Sequence, residues 1–342
     1  MLRLNRFLNN VRLFKTHLSQ AYSYFTRKYQ VNSYPIIFQI EPTNHCPMNC
    51  VMCPRQFMKR KLGYMDFALF KKIIDQVKVY DTHIQLHHFG DPLMHPQIDK
   101  FIKYAHDKGI KVNCSVNPIL LTKKMSEKLV ASGLDRIYIS LDSVDDESYK
   151  KIRGTRADYC KAVENIRHLA DLKIRRKSKT PEVTVGLIYM RTTKGNVDEF
   201  KNKWNIPGID QVCIKPFTGF GLKPLLVYAE DSTVKKIEHK CLYPCFLPWR
   251  SLTILWDGRV VPCCYDYDGR YIIGDLKKES LKEVWNNERM VNLRRQNKLN
   301  DFTGNELCGN CNERYGWPSV AHPFKLSGFV FRKLSRKLRG EP

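Results

Sequence analysis

The sequence lacks several features that would place it in other protein classes. It has no apolar run long enough to cross a bilayer as a helix. The first 10 residues include basic side chains but no uninterrupted apolar segment of the kind found in secretory signals. Internal repeats and low-complexity segments are also missing. These absences predict a globular, cytoplasmic protein whose cysteines stay reduced.

Acidic residues are scarce: 34 stand against 58 basic residues, which gives a net charge of +24. Such an excess favours an anionic partner, either nucleic acid, a phosphorylated substrate or a membrane surface. The basic residues are concentrated near both termini, which disfavours a single nucleic-acid recognition element. Apolar stripes lie beside basic residues in both terminal segments. They predict either peripheral association with an anionic membrane or packing on the rest of the protein.

Three of the 12 cysteines, Cys46, Cys50 and Cys53, share one short segment that has no fourth cysteine nearby. A structural zinc site is usually closed by four protein ligands. A four-iron cluster needs one ligand for each iron, so three thiolates would leave one iron open to bind a substrate. A zinc knuckle completed by His45 or by a distant cysteine is the alternative, whereas a disulfide is disfavoured by the reducing compartment.

A second set of cysteines follows near the end of the sequence: Cys245, Cys263, Cys308 and Cys311. Gly258 lies between the first two in the pattern C-x12-G-x4-C, and the last two form C-x2-C. Four thiolates with this spacing are suitable ligands for a zinc ribbon and equally for an iron–sulfur cluster.

Apolar, strand-like runs alternate with helical patterns from residue 35 to about residue 216. Such repetition predicts a parallel sheet covered by helices. In barrels of this kind, the chemistry takes place at the carboxyl ends of the strands. The cysteine triplet directly follows the first predicted strand. The strand-like runs are residues 36–40, 84–89, 110–116, 136–141, 183–189 and 212–215, and the helical patterns lie near residues 66–79, 97–108, 122–132, 157–172 and 196–204. A further helix is predicted near residues 280–296, and the turn Asp257-Gly258 predicts a hairpin.

The triplet and the six strand–helix units resemble the radical S-adenosylmethionine (SAM) enzymes, and the second set resembles their SPASM/twitch auxiliary domain. The implied fold class is α/β, a partial (βα)6 TIM-like barrel with a C-terminal SPASM/twitch cluster-binding domain. Because no cysteine follows Cys311, the one-cluster form fits better. The expected organisation is an amphipathic segment (1–34), the radical SAM core (35–222), a linker (223–240), the auxiliary domain (241–316) and an amphipathic tail (317–342).

The resemblance also implies cofactors and their contacts: two [4Fe–4S] clusters and SAM. Cys46, Cys50 and Cys53 match the ligands of the SAM-binding cluster, and the second cysteine set, Cys245, Cys263, Cys308 and Cys311, matches those of the auxiliary cluster. This sequence has Phe-Gly-Asp-Pro where the family has Gly-Gly-Glu-Pro, and a methionine at a position that is often aromatic. The residues at positions that contact SAM in the family are Met52, Gly90, Asp91, Ser115, Asn117, Ser140, Asp142 and Arg153.

By resemblance, the chain is expected to be an enzyme that reductively cleaves SAM to a 5′-deoxyadenosyl radical, which abstracts hydrogen from a substrate. Oxidation of a small molecule, a sugar or a polyol is the first expectation, as in the inosamine dehydrogenase of aminoglycoside biosynthesis. Peptide modification or enzyme maturation is the second and membrane-lipid modification the third. The expected partner is a one-electron reductant such as ferredoxin or flavodoxin. A basic zinc-binding nucleic-acid module is the alternative from a different class.

Overall fold

The computed structural model describes residues 16–26, 28–80, 83–230 and 245–311. Within them, nine strands form one sheet in the order β6-β5-β4-β3-β2-β1-β7-β8-β9. The first six strands are parallel and each pairs with its neighbour in the chain, so the predicted α/β barrel sheet is confirmed. The strands are β1 Ile37–Ile40, β2 His83–Leu86, β3 Lys111–Val116, β4 Arg136–Ser140, β5 Glu182–Tyr189, β6 Gln211–Pro216, β7 Ser251–Ile254, β8 Arg259–Val261 and β9 Gly274–Asp275.

Helices connect the parallel strands, and polar side chains at their first residues satisfy the free backbone N–H groups. Asp66, Thr122 and Asp158 each accept a hydrogen bond from the first turn of the helix that follows. Residues 16–25 are helical as well. The helices are α1 Phe67–Val77, α2 Ile98–Asp107, α3 Lys123–Ala131, α4 Asp146–Arg153, α5 Tyr159–Arg175, α6 Val197–Trp204, α7 Leu281–Trp285, α8 Glu288–Leu299 and α9 Glu306–Gly309.

Two helices differ from the sequence-based expectation. Helix α4 was not predicted; it is rich in charged residues and is capped by Asp145, whose side chain accepts from Ser148 N. The single helix expected near residues 280–296 is two helices, because Asn286 ends the first and Asn287 caps the second by accepting from Met290 N. A capping residue in the middle of a helical pattern is therefore what divides it.

The two faces of the parallel sheet have opposite character. Residues such as Ile84, Leu86 and Ile139 are fully buried on the outer face. Alternate residues such as Gln85 and Asn113 point to the inner face and are partly exposed. The barrel therefore has an apolar outer face, on which the helices pack, and a polar inner wall.

The second part of the chain extends the same sheet. Strand β7 pairs in parallel with β1, in the register Ile37↔Ser251 to Ile40↔Ile254. Strands β7 and β8 form the predicted antiparallel hairpin, in which Gly258 has a φ of 91°. One sheet thus links the barrel to the region that carries the second cysteine set.

Of the two predicted terminal segments, residues 1–34 lie partly and residues 317–342 entirely outside the described residues, which do not include residues 1–15 or 312–342. In the part of the chain that the structure describes, no helix combines the length and the apolarity needed to span a bilayer.

Candidate functional site

The cysteine triplet lies in a loop that begins directly after β1. Cys46, Cys50 and Cys53 are all partly buried in this loop. Burial, and then the neighbouring Cys50 thiol, raise the pKa of Cys53 to about 11. Burial, followed by Asp91 and the other two thiols, raises the pKa of Cys46 to about 12. The structure therefore brings the three predicted ligands into one electrostatic environment.

Asn44 and Gly90 hold the cysteine loop in place. The side chain of Asn44 donates to Lys61 O (2.8 Å) and accepts from Gly63 N (2.9 Å). A Cβ atom on Gly90 would lie only 2.2 Å from the carbonyl oxygen of Thr43. Glycine is therefore required where the end of β2 meets the loop.

Asp91 joins the ends of three segments. Its backbone N–H donates to His45 O (2.8 Å), and its carboxylate accepts from Leu93 N (2.9 Å) and Asn117 N (2.6 Å). Burial raises the pKa of Asp91 to about 7. Asp91 therefore holds the cysteine loop through its backbone N–H and the end of β3 through its carboxylate.

Asn117 has one buried group that finds no partner within the described residues. Its Oδ1 accepts from Ile119 N (2.9 Å), whereas its Nδ2 has no hydrogen-bond partner. A buried, unsatisfied amide is costly, so a polar ligand atom is the expected partner.

Asp142 and Arg153 form a buried ion pair at the end of β4. Asp142 has a φ of 63° and accepts from Ile188 N at 2.6 Å. Arg153 also donates from Nη1 to Cys50 Sγ at 3.4 Å. Burial lowers the pKa of Arg153, but Asp142, Cys50 and Tyr149 together more than offset this, so the net shift of the pKa is upward.

The remaining predicted SAM contacts lie around the same opening. Ser115 and Ser140 are partly exposed on the inner wall of β3 and β4. Met52 is buried in an apolar cluster with Ile152 and Phe217. The predicted positions thus provide polar groups on the strands and one apolar wall beside the cysteine loop.

A buried ion pair between Glu41 and Arg60 was missed by the sequence reasoning. Arg60 donates to Glu41 Oε2 (2.6 Å) and to Tyr267 O (2.8 Å), and its backbone N–H donates to Asp268 (2.9 Å). A charged residue directly after the buried strand β1 was the available signal. The pair ties the cysteine loop to the second part of the chain.

The four cysteines of the second set line one cavity. Cys245, Cys263, Cys308 and Cys311 surround it together with apolar side chains such as Leu247. Asn305 accepts from Cys308 N at 3.1 Å, and Asn297 accepts from Cys245 N at 3.3 Å. Cys264 does not line this cavity. The structure therefore brings the four predicted ligands together.

The numbers of thiols in the two groups suit two kinds of iron–sulfur site. Three thiols share the loop after β1, and four line the second cavity together with apolar side chains. A four-iron cluster needs one ligand for each iron, so three thiolates leave one iron open, whereas four close the site. The two donor sets therefore fit [4Fe–4S] clusters.

Comparisons with known proteins agree with this geometry. Residues 40–201 match the model of the radical SAM superfamily, and residues 245–312 match that of an iron–sulfur cluster-binding domain, SPASM. The tungsten-containing aldehyde ferredoxin oxidoreductase cofactor-modifying protein of Pyrococcus furiosus is 24% identical over 73% of this chain and 80% of its own length. The S-adenosyl-L-methionine-dependent 2-deoxy-scyllo-inosamine dehydrogenase of Niallia circulans is 22% identical over 81% of this chain and 92% of its own length.

Solved structures share the fold. BtrN in complex with AdoMet and 2-DOIA superposes with a TM-score of 0.55 and 17% identity, covering 84% of this chain and 99% of that one. The described geometry, the two family matches and this fold lead to one assignment. The chain belongs to the radical SAM superfamily and carries a C-terminal SPASM iron–sulfur cluster-binding domain.

Proposed function

We propose that the chain oxidises a small polar molecule, such as a sugar or polyol, by hydrogen-atom abstraction inside the barrel. The observation that carries this proposal is the polar inner wall of the barrel, which includes the partly exposed Gln85, Asn113 and Ser115. Side chains of this kind can hydrogen-bond hydroxyl groups and fix the orientation of a small substrate. The similarity to an inosamine dehydrogenase supports the same substrate class.

The family implies SAM, a [4Fe–4S] cluster and additional iron–sulfur clusters. When bound, the first cluster and SAM supply a 5′-deoxyadenosyl radical. Cys46, Cys50 and Cys53 would hold that cluster. The free Nδ2 of Asn117 and the unpaired Nε of Arg153, both buried, are suited to oxygen atoms of SAM. Cys245, Cys263, Cys308 and Cys311, around their shared cavity, would hold the auxiliary cluster.

The protein's own residues would orient the reactants and limit the access of water. Asp91 and Gly90 set the position of the loop, and the Asp142–Arg153 pair fixes the end of β4. The apolar cluster around Met52 shields one side of the opening. Such a barrel can lower the activation barrier of the reaction by holding the reactants close together and excluding water.

A test of the reaction class starts from protein loaded with iron and sulfide under anaerobic conditions. With dithionite and SAM, we expect 5′-deoxyadenosine, measured by mass spectrometry, and we expect none from Cys50→Ala. Absence of this product from protein with fully loaded, reduced clusters would refute the reaction class.

The substrate class needs its own assay. Mixtures of polyols and sugars should increase deoxyadenosine formation and yield a product two mass units lighter, as expected for a dehydrogenation. If peptides stimulate the reaction and polyols do not, peptide modification replaces the proposal. A ferredoxin or flavodoxin should replace dithionite as the electron donor.

We also propose that the basic termini attach the protein to anionic membranes. Basic residues near such a surface contribute about 1 kcal/mol each, and residues 1–30 contain 6 of them and no acidic residue. Flotation with anionic vesicles at low salt should recover the full chain but less of a chain lacking residues 324–342. Equal recovery would exclude a contribution from the tail.

A further inference from the structure

The inner wall of the barrel carries a cluster of polar side chains, directly after β2 and on β4 and β6, that the cofactor contacts do not use. The ammonium of Lys215 lies 3.3 Å from the centroid of the Tyr138 ring. Burial, and then the charge of the nearby Lys215, lower the pKa of His87 to about 3. His87, Tyr138 and Lys215, here called the inner-wall cluster, thus share one region.

Strand β5 leaves space for this cluster. A Cβ atom on Gly186 would lie 1.8 Å from the hydroxyl oxygen of Tyr138. The tyrosine ring therefore extends from β4 across the glycine of β5 towards β6. Glycine is needed here because another side chain would displace the ring.

Two atoms of the inner-wall cluster are buried without a hydrogen-bond partner in the described structure: Tyr138 Oη and His87 Nδ1. Buried polar groups are rarely left unpaired unless water, an ion or a ligand completes them. Both unsatisfied atoms belong to side chains that lie near the ammonium of Lys215.

The charges nearby favour an anion. Asp142, the carboxylate that acts on both Tyr138 and Lys215, is already paired with Arg153. Lys215 makes no ion pair with any residue in the described ranges. The Lys215 side chain is exposed to solvent, but the protein around its ammonium lowers the pKa of that group by desolvation. An accessible ammonium in such surroundings favours an anionic oxygen as its partner.

We propose that Lys215 and Tyr138 bind an anionic oxygen group of the substrate, a carboxylate or a phosphate. Lys215 provides the charge, and Tyr138 Oη donates a hydrogen bond. His87 is neutral and its other ring nitrogen donates to the backbone of Asn113, so Nδ1 would accept a hydrogen bond from a substrate hydroxyl group. This inference rests on the proposed function, because it assumes that the substrate enters the barrel. It narrows the proposed substrate class to small polar molecules that carry an acidic group.

The test measures inorganic phosphate binding to the cluster-loaded full chain, from the rise of Tm with phosphate concentration. Lys215→Met should weaken phosphate binding about tenfold or more, the effect of losing a charge-assisted hydrogen bond. Lys215→Arg should stay within about threefold of the wild type. Lys100→Met, a change at an exposed lysine on α2, controls for general salt effects. Equal phosphate binding by wild type and Lys215→Met overturns the proposal.

A second measurement uses the unmodified protein. Pyridoxal phosphate followed by borohydride labels accessible lysines, and mass spectrometry of peptides locates the labels. Phosphate should protect Lys215 and leave Lys100 labelled; labelling of Lys215 that phosphate does not reduce overturns the proposal. Deoxyadenosine formation without substrate is assayed in parallel. If the wild type forms no deoxyadenosine, the reaction class is refuted. If it forms deoxyadenosine but phosphate binding does not depend on Lys215, only the proposed anion site is refuted.

Discussion

Arg153 binds two parts of the site at once: its Nη1 donates to Cys50 Sγ at 3.4 Å, and its Nη2 pairs with Asp142. One guanidinium therefore joins the cysteine loop after β1 to the end of β4. The planar fork of arginine makes this double contact possible, whereas a lysine ammonium is a single point charge.

Removing this guanidinium should destabilise the protein strongly. Asp142 is 0% exposed, and an unpaired buried charge typically costs about 3–5 kcal/mol. We expect Arg153→Met to lower the free energy of unfolding in urea by this amount. Arg136→Met breaks an exposed pair with Glu182 and should cost less than about 1 kcal/mol.

A double variant separates the buried charge from the lost contacts. Adding Asp142→Asn to Arg153→Met should recover part of the stability, because asparagine is neutral and tolerates the positive φ of this position. Independent, additive losses from the two changes would contradict a charge-pair explanation.

The close approach at Gly90 predicts a specific loss of cluster. Gly90→Ala would place a Cβ atom 2.2 Å from Thr43 O and 2.6 Å from Asn44 Cα. We expect overpacking to cost about 1–3 kcal/mol and iron incorporation at the triplet to fall. Gly195→Ala, whose Cβ meets nothing within 4 Å, is the matched control. Iron analysis and urea unfolding measure both effects, and similar behaviour of the two variants would rule out the steric explanation.

The two adjacent cysteines after β8 should differ in their effect on iron content. Cys263 lines the cavity and Cys264 does not. Cys263→Ala should lower the iron content from about eight to about four per chain, the loss of one four-iron cluster. Cys264→Ala should leave it nearly unchanged. The reverse result would show that Cys264 is the ligand.

Protonation of His17 should contribute to the loss of stability in acid. Burial, and then the charge of Arg250, lower its pKa from 6.5 to about 4. Between these pH values the unfolded chain binds a proton at this position that the folded chain does not, so stability falls as the pH decreases from 6.5 to 4. His17→Gln should reduce this fall, measured by urea unfolding at several pH values. Above pH 7, the difference in the free energy of unfolding between variant and wild type should be constant. If this difference also stays constant below pH 6.5, the assignment to His17 is contradicted.

Local patterns predicted the parallel strands because each is a short apolar run bounded by turns. They failed for α4, where charged residues hide the amphipathic pattern, and for the division at Asn287. The contact between Arg60 and Tyr267 could not be predicted, since the two residues come close only when β7 pairs with β1.

In the candidate site, too, local sequence patterns were predictive and contacts between distant residues were not. Cysteine spacing predicted which thiols come together, and the structure places the second set around one cavity. The arrangement at Gly186, by contrast, depends on the direction of the Tyr138 side chain from a neighbouring strand. A sequence gives no sign of that direction until the register of β4 and β5 is known.

The pairing of β7 with β1 has a consequence for synthesis on the ribosome. The edge of β1 is covered by a strand that is made only after the whole barrel has been translated. Until then, the nascent barrel exposes unpaired backbone groups on a buried, apolar strand, which is a template for aggregation. A chaperone that shields this edge, or slow release of the barrel until the hairpin emerges, would raise the yield of native protein.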